Sequence, residues 1–222
     1  MRPEKLPAQG RMWIISFFLF TSTMFFPSCS LFESKPRPPA VCKTESFTQS
    51  QKPNLPYCSI DFDFPLAAVC NPKLYVYKSD RRLLLVQDGI LIRDYLVGLG
   101  PNPCGDKRFS GDGRTPEGSF YVCVKNPTSQ FYKSLGLNYP DPKHAEQAFL
   151  QGAISPSDFR NIVQAFENKG RPPWDTPLGG AIFIHGGGGH KDWTKGCIAV
   201  GNSAMDELFE IVSIGTPVEV FP

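Results

Sequence analysis

Cys197 and His185 are the two side chains whose types and spacing most directly suggest chemistry. His185 follows the apolar run Ala181–Ile184, which puts it at the end of a strand, where a loop can expose it. Cys197 comes twelve residues later, between Gly196 and the apolar Ile198. A thiol attacks as its thiolate, and a nearby imidazole is the usual base that generates it. A glycine directly before the nucleophile lets the backbone bend so that amide N–H groups can face a developing oxyanion. Together these features suggest acyl transfer through a thioester. Other readings of the window Ile182–Asn202 stay open on residue types alone. His185, His190 and Cys197 are acceptable zinc ligands, although no fourth ligand or assisting Glu stands nearby. His185-Gly186-Gly187-Gly188 is like the oxyanion segment of α/β-hydrolases, but the Gly-x-Ser-x-Gly motif that such enzymes need is missing. A buried structural cysteine beside an uninvolved histidine is the commonest origin of a lone Cys–His pair.

The elements that must position this pair are mostly strands. Leu74–Tyr77 has strand character, and Leu83–Val86 with Ile90–Ile92 flanks Asp88-Gly89, the dipeptide of a two-residue hairpin turn. Tyr95–Gly98 continues the β pattern, Gly105–Pro116 is a loop dense in Gly and Asp, and Gly118–Val124 is a further strand, so the first half reads as an antiparallel meander. Ser155-Pro156 opens a helix that ends at Lys169-Gly170, with a shorter one at Ala145–Leu150, while Met205–Val212 spaces its apolar residues on one helical face. Ala181–Ile184 and Pro217–Phe221 are the remaining strands. The Tyr139–Pro142 turn and the helix after it look like an insertion over the site, and His144 and His190 read as surface residues. The fold class is mainly β with a few helices.

The chain has 222 residues, 41% hydrophobic and 20% charged, which excludes wholesale disorder and a polytopic membrane protein. Its 23 Lys+Arg against 21 Asp+Glu leave no basic excess, so nucleic acid is not an expected partner. At the N-terminus, Arg2, Lys5 and Arg11 precede the uncharged run Met12–Phe26, a secretory-signal pattern too short for a spanning helix. Ser28-Cys29 resembles a lipoprotein processing site, and an ordinary signal or uncleaved anchor is the competing reading. Residues 1–29 are thus expected to export the chain to the periplasm or cell envelope, with Cys29 as the candidate lipid anchor and membrane contact only through the N-terminal signal or that lipid. Residues 30–71 form a tether broken by Pro36, Pro38, Pro39, Pro53, Pro56 and Pro65, and residues 72–222 form the folded domain. Seven cysteines is an odd number, consistent with one reactive thiol. Spacing does not assign pairs; Cys104 with Cys123 and Cys42 with Cys58 are the pairings considered.

Four blocks in combination narrow the reading. Gly105-Asp106-Lys107, Gly111-Asp112-Gly113-Arg114-Thr115-Pro116-Glu117-Gly118, His185 with Thr194-Lys195-Gly196-Cys197, and Gly215-Thr216-Pro217-Val218 together resemble the L,D-transpeptidase catalytic domain (YkuD type) over about Leu74 to Val220. The similarity is greatest to a branch reading Asp-Trp-Thr-x-Gly-Cys-Ile-Ala, here Asp192–Ala199. The resemblance implies a β-sandwich or meander catalytic domain of a bacterial cell-wall enzyme, with no cofactor and no metal. It implies that Cys197 attacks the carbonyl of residue three of a peptidoglycan stem peptide, that D-alanine leaves, and that an amine or water resolves the thioester. His185 would be general base and acid, the Gly186 carbonyl would orient its ring, and the Gly196 and Cys197 N–H groups would hold the oxyanion. Thr194 occupies the Ser/Thr position of the motif. Arg114 and Trp193 would join it in binding substrate, although packing and solvation are the ordinary roles of such residues. Two positions depart from many members: Ala199 stands where Arg or Asn is common, and Lys195 where His is common.

Peptidoglycan stem peptides are therefore the expected partner, together with an amine acceptor or a wall-linked protein. Hydrolysis at the same site, as an L,D-carboxypeptidase or a wall-protein-releasing amidase, is the alternative, and a non-catalytic wall-binding lipoprotein is the reading from a different class.

Overall fold

A computed structural model describes residues 55–222; the signal segment, Cys29, Cys42 and residues 30–54 of the Pro-rich stretch lie outside the described residues. The described residues form, in chain order, β1 (Ser59–Ile60), β2 (Lys73–Tyr77), β3 (Arg82–Gln87), β4 (Ile90–Leu96), β5 (Gly118–Ser129), β6 (Tyr132–Leu137), α1 (Pro142–Leu150), α2 (Pro156–Glu167), β7 (Phe183–His185), β8 (Ile198–Ala199), α3 (Asn202–Ile211) and β9 (Pro217–Phe221). The fold is mostly sheet with three helices among the described residues. Asp88 and Gly89 adopt φ of 50° and 77°, the left-handed pair that lets β3 and β4 close as a two-residue hairpin.

The strands line up in the order β1-β4-β3-β2-β9-β5-β6-β7-β8. The antiparallel meander expected for the first half holds only for β2, β3 and β4. β9 enters between β2, to which it is parallel, and β5, to which it is antiparallel, and β1/β4 and β7/β8 are also parallel pairs. Hairpin turns announce local pairings, whereas a strand that returns from the far end of the chain leaves no local signal. β5 spans both halves of the sheet: Gly118–Tyr121 pairs with β9, and the rest pairs with β6 through register shifts at Val122/Val124 and Asn126/Ser129. Such bulges bend a strand and increase its twist, so both halves contribute to one core. Leu74, Leu85 and Ile92 from one side pack with Leu135, Ile184 and Ile198 from the other, and with Met205 and Leu208 of α3. Each such side chain contributes roughly 1.5–3 kcal/mol on burial.

Residues 138–182 form a long connection between β6 and β7, carrying α1 and α2 and a small core of their own (Ala145, Ala148, Ile154, Ile162, Leu178). α1 begins earlier than its apolar pattern suggests, because Asp141 caps it by accepting the His144 N–H at 3.0 Å and Pro142 takes the first helical position. α2 starts with a reciprocal Ser155–Asp158 capping box. Residues 55–71, grouped with the tether by composition, lie along the sheet: β1 pairs with β4, and Phe64, Leu66 and Val69 pack against the main core. The cysteine pairings considered from sequence are not formed, since Cys58, Cys70, Cys123 and Cys197 are free thiols. Cys104 is disulfide-bonded. No helix among the described residues is long and apolar enough to cross a membrane.

Candidate active site

The pairing of β7 with β8 determines how His185 and Cys197 meet. Ile184 lies opposite Ile198 and His185 opposite Ala199. Both isoleucines are fully buried on the core side. His185 ends β7 and Cys197 directly precedes β8, so the pairing of the two short strands brings the segments that carry them together. Cys197 is partly buried. Its sulfur accepts a hydrogen bond from the Phe183 N–H at 3.5 Å, and its S–H faces the Ala181 carbonyl at 3.6 Å. The nucleophile candidate therefore rests against the residues that lead the 138–182 insertion back into β7.

The turn before Cys197 is built on Thr194, whose side chain is bonded at both ends of the turn. Its Oγ1 accepts the Gly196 N–H at 3.2 Å and donates to the Cys197 carbonyl at 2.8 Å. Gly196 has φ +119°, and a Cβ there would sit 2.6 Å from the Arg114 carbonyl oxygen, so the Gly105–Pro116 loop presses directly on the turn and only glycine fits. Thr194 is 5% exposed and clamps the turn, and the Gly196 N–H, expected from sequence to face an oxyanion, here donates to that clamp. The Cys197 N–H does not take part in the turn and loop backbone hydrogen bonds among the described residues. Asp192 fastens the same loop from the other side, accepting from Leu99 N at 2.8 Å and pairing with the Arg81 guanidinium at 2.7 Å.

His185 is 2% exposed. Its Nδ1 lies 2.6 Å from the Gly186 carbonyl oxygen, which holds the proton on Nδ1 and leaves Nε2 for proton transfer. Gly186 is confined: a Cβ there would meet Asn202 Oδ1 at 2.6 Å and the Phe131 carbonyl at 3.0 Å. Asn202 Oδ1 also accepts the Gly187 N–H at 2.8 Å. Trp193 packs edge-on to the imidazole at 5.4 Å and donates its indole N–H to the Gly188 carbonyl at 3.0 Å. Arg114 stands on the wall formed by the Gly105–Pro116 loop, its guanidinium donating to the Asp106 carbonyl at 3.3 Å. His190 is exposed, and among the described residues no three His, Cys, Asp or Glu side chains converge as a metal site.

Burial pulls both candidate groups toward neutrality. It lowers the proton affinity of His185, against a smaller opposing effect of the Gly186 carbonyl. It raises that of the Cys197 thiol, partly opposed by the Phe183 N–H and by the Lys107 ammonium. The resting pair is thus a thiol and a neutral imidazole, with no hydrogen bond between them, rather than a preformed ion pair. Apo geometry of this kind commonly tightens only when substrate arrives.

A second polar cluster fixes the wall. Asp112 accepts from the N–H groups of Arg108, Phe109 and Arg114 (2.8, 3.3 and 3.0 Å) and from Lys107 Nζ at 2.7 Å. Asp106 accepts from the N–H groups of Lys107 and Glu117, both at 2.8 Å, from Lys143 Nζ at 2.9 Å and from His144 Nε2 at 2.9 Å. The other ring nitrogen of His144 is bonded to Asp141. His144, read from sequence as a surface residue, is 2% exposed; its partner Asp106 lies 38 positions upstream and is invisible to local patterning. Burial disfavours the His144 cation, but the two carboxylates outweigh it and raise the pKa to about 9. Burial likewise opposes the Asp106 anion, and His144, the Glu117 N–H and Lys143 together hold it well below the usual carboxylate range.

Asn202 and Phe131, both in contact with the His185–Gly186 corner, have no signal in the sequence motif. Thr194, Gly196 and Asp192 do: all belong to the block that ends in Cys197.

Residues 71–220 match the family model of the YkuD-type L,D-transpeptidase catalytic domain. Among solved structures, the chain is similar to an L,D-transpeptidase from Xylanimonas cellulosilytica (17% identity, TM-score 0.41, covering 69% of this chain and 62% of that one). It is also similar to the helical cell shape determining protein Pgp2 from Campylobacter jejuni (20% identity, TM-score 0.46, covering 72% and 55%). A third is Bd1075 from Bdellovibrio bacteriovorus (19% identity, TM-score 0.44, covering 70% and 49%). The chain therefore spans only about half to three fifths of these proteins. No curated protein sequence matches it. With the family match covering most of its length, the chain belongs to the YkuD-type L,D-transpeptidase catalytic domain family.

Proposed function

We propose that the protein is a peptidoglycan L,D-transpeptidase in which Cys197 is the nucleophile and His185 the general base and acid. The observation that supports the reading is that Nδ1 of His185 is fixed on the Gly186 carbonyl at 2.6 Å, while the strand it ends pairs with the one that Cys197 precedes. The Cys197 proton passes to His185 Nε2 as sulfur attacks the carbonyl of residue three of a tetrapeptide stem. The tetrahedral oxyanion is held by the Cys197 N–H. Collapse breaks the amide, the departing D-alanine amine takes the proton from His185, and a thioester remains. An acceptor amine then attacks the thioester, passes its proton to His185, and restores the thiol. Trp193, packed on His185, and Arg114, whose carbonyl abuts Gly196, are the candidate substrate contacts.

The test is product analysis. Purified protein and its Cys197→Ala variant are incubated with tetrapeptide muropeptides, and products are read by mass spectrometry. Thiol-dependent loss of D-alanine with a crosslinked or amine-exchanged product is expected. Loss of D-alanine leaving only a tripeptide would instead identify a carboxypeptidase, and equal activity of wild type and Cys197→Ala would overturn the mechanism.

The same reading places the domain outside the cytoplasmic membrane, exported by residues 1–29, with Cys29 as lipid anchor. Cys29→Ala is then expected to shift the protein out of the membrane fraction, and unchanged fractionation would leave an ordinary signal or anchor instead.

A further inference from the structure

Phe131 is 38% exposed, on the turn between β5 and β6. Its ring nevertheless stacks on His185, with centroids 4.8 Å apart and planes 26° from parallel. Trp193 stands edge-on to both rings at 5.4 Å. The turn is anchored independently of the imidazole. Tyr132 Oη and Lys133 Nζ reach Asp206 on α3 at 2.9 and 2.6 Å, and the Phe131 N–H donates to Ser129 Oγ at 3.2 Å. The Lys133 carbonyl accepts the Gly186 N–H at 3.2 Å, and Ser134 lies opposite His185 in the β6–β7 register. The hairpin therefore holds the Phe131 ring against one face of the imidazole from a fixed base, at the cost of leaving a large apolar side chain half in water.

We infer that Phe131 is a positioning residue for the base: its ring completes a three-point hold on His185, together with the Gly186 carbonyl and Trp193, which aims Nε2 toward Cys197 and keeps water off one imidazole face. This rests on the reading of Cys197 and His185 as nucleophile and base. The Nδ1 contact sets one ring atom, but a single hydrogen bond leaves the imidazole free to rock about it, and a stacked face removes that freedom. Burial is the largest influence on the proton affinity of His185 and lowers it, so uncovering the face is expected to raise it.

The experiment compares full-length wild type, Phe131→Ala and Phe131→Tyr by two readouts. The first is the titration of the His185 ring proton by NMR, assigned with His185→Gln. Phe131→Ala is expected to move its midpoint up toward the ordinary value, and Phe131→Tyr to keep it near wild type. The second is thiol-dependent D-alanine release, where Phe131→Ala is expected to lower kcat about tenfold or more with little change in KM, and Phe131→Tyr to restore it. An unchanged His185 midpoint in a folded Phe131→Ala protein would overturn the inference, as would Phe131→Tyr being as impaired as Phe131→Ala. Because the titration needs no substrate, it decides the role of Phe131 even if the muropeptide assay shows that the proposed reaction is wrong.

Discussion

Replacing His144 by Gln should alter the pH dependence of stability by a predictable amount. The imidazole is 2% exposed and bridges Asp141 and Asp106, which raises its pKa from 6.5 to about 9. That displacement corresponds to about 3 kcal/mol of extra affinity of the folded state for one proton. The sign follows from the direction. A group whose affinity is raised by folding contributes its full stabilisation below the unfolded value of 6.5, and loses it as pH climbs through the folded value near 9. Gln keeps hydrogen-bonding capacity but cannot carry the charge, so the variant lacks this dependence while sharing every other titrating group. Urea unfolding of both proteins at about pH 6 and about pH 10 gives the gap between them, which should shrink by about 3 kcal/mol from the lower to the higher pH. A gap that stays constant would mean that His144 is not held as a cation between the two carboxylates. The tie of α1 to the wall beside Gly196 would then need another explanation.

Three further outcomes test the site. Alkylation of Cys197 by iodoacetamide, followed peptide by peptide so that Cys58, Cys70 and Cys123 are counted separately, should titrate with a midpoint above the ordinary thiol value of 9.0; a midpoint near neutrality would refute the resting neutral pair. Thr194→Val should cost about 1–3 kcal/mol in urea unfolding, because it leaves the Gly196 N–H and the Cys197 carbonyl without their partner, and Thr194→Ser should recover most of it. Gly186→Ala should destabilise by about 1–3 kcal/mol through its clash with Asn202 Oδ1. Adding Asn202→Ala should relieve part of that cost, and strict additivity of the two changes would argue that they do not touch.

The chemistry of this molecule is more legible in its sequence than its topology. Cys197, His185 and the Asp192–Cys197 block are contiguous or nearly so, and their types point to a reaction before any fold is known. The β3–β4 hairpin is legible for a similar reason, since Asp88-Gly89 declares its own backbone conformation. β6 goes unread because Gly136 and Lys133 interrupt its pattern. The glycine is demanded by a neighbour: a Cβ there would lie 2.9 Å from the Phe183 ring. β8 is two residues long and exists only through its partner. His144 and Phe131 are misread or missed because what defines them lies across the fold: Asp106 for one, His185 for the other. Thr194 shows a subtler limit. The motif marks its position, but only the fold shows that its hydroxyl is bonded at both ends of the turn.

The position of β9 governs when the domain can form at all. Pro217–Phe221 fills the gap between β2 and β5, so until those residues have been synthesised the two halves of the sheet face each other with unpaired edges and no strand to join them. Closing the sheet therefore waits on a long-range encounter, Leu74 with Val218 and Gly118 with Val220, and cannot proceed from local hairpins alone. The β7–β8 pair that carries His185 to its place beside Cys197 belongs to the half of the sheet that β9 joins to the rest, so the candidate site depends on that encounter as well.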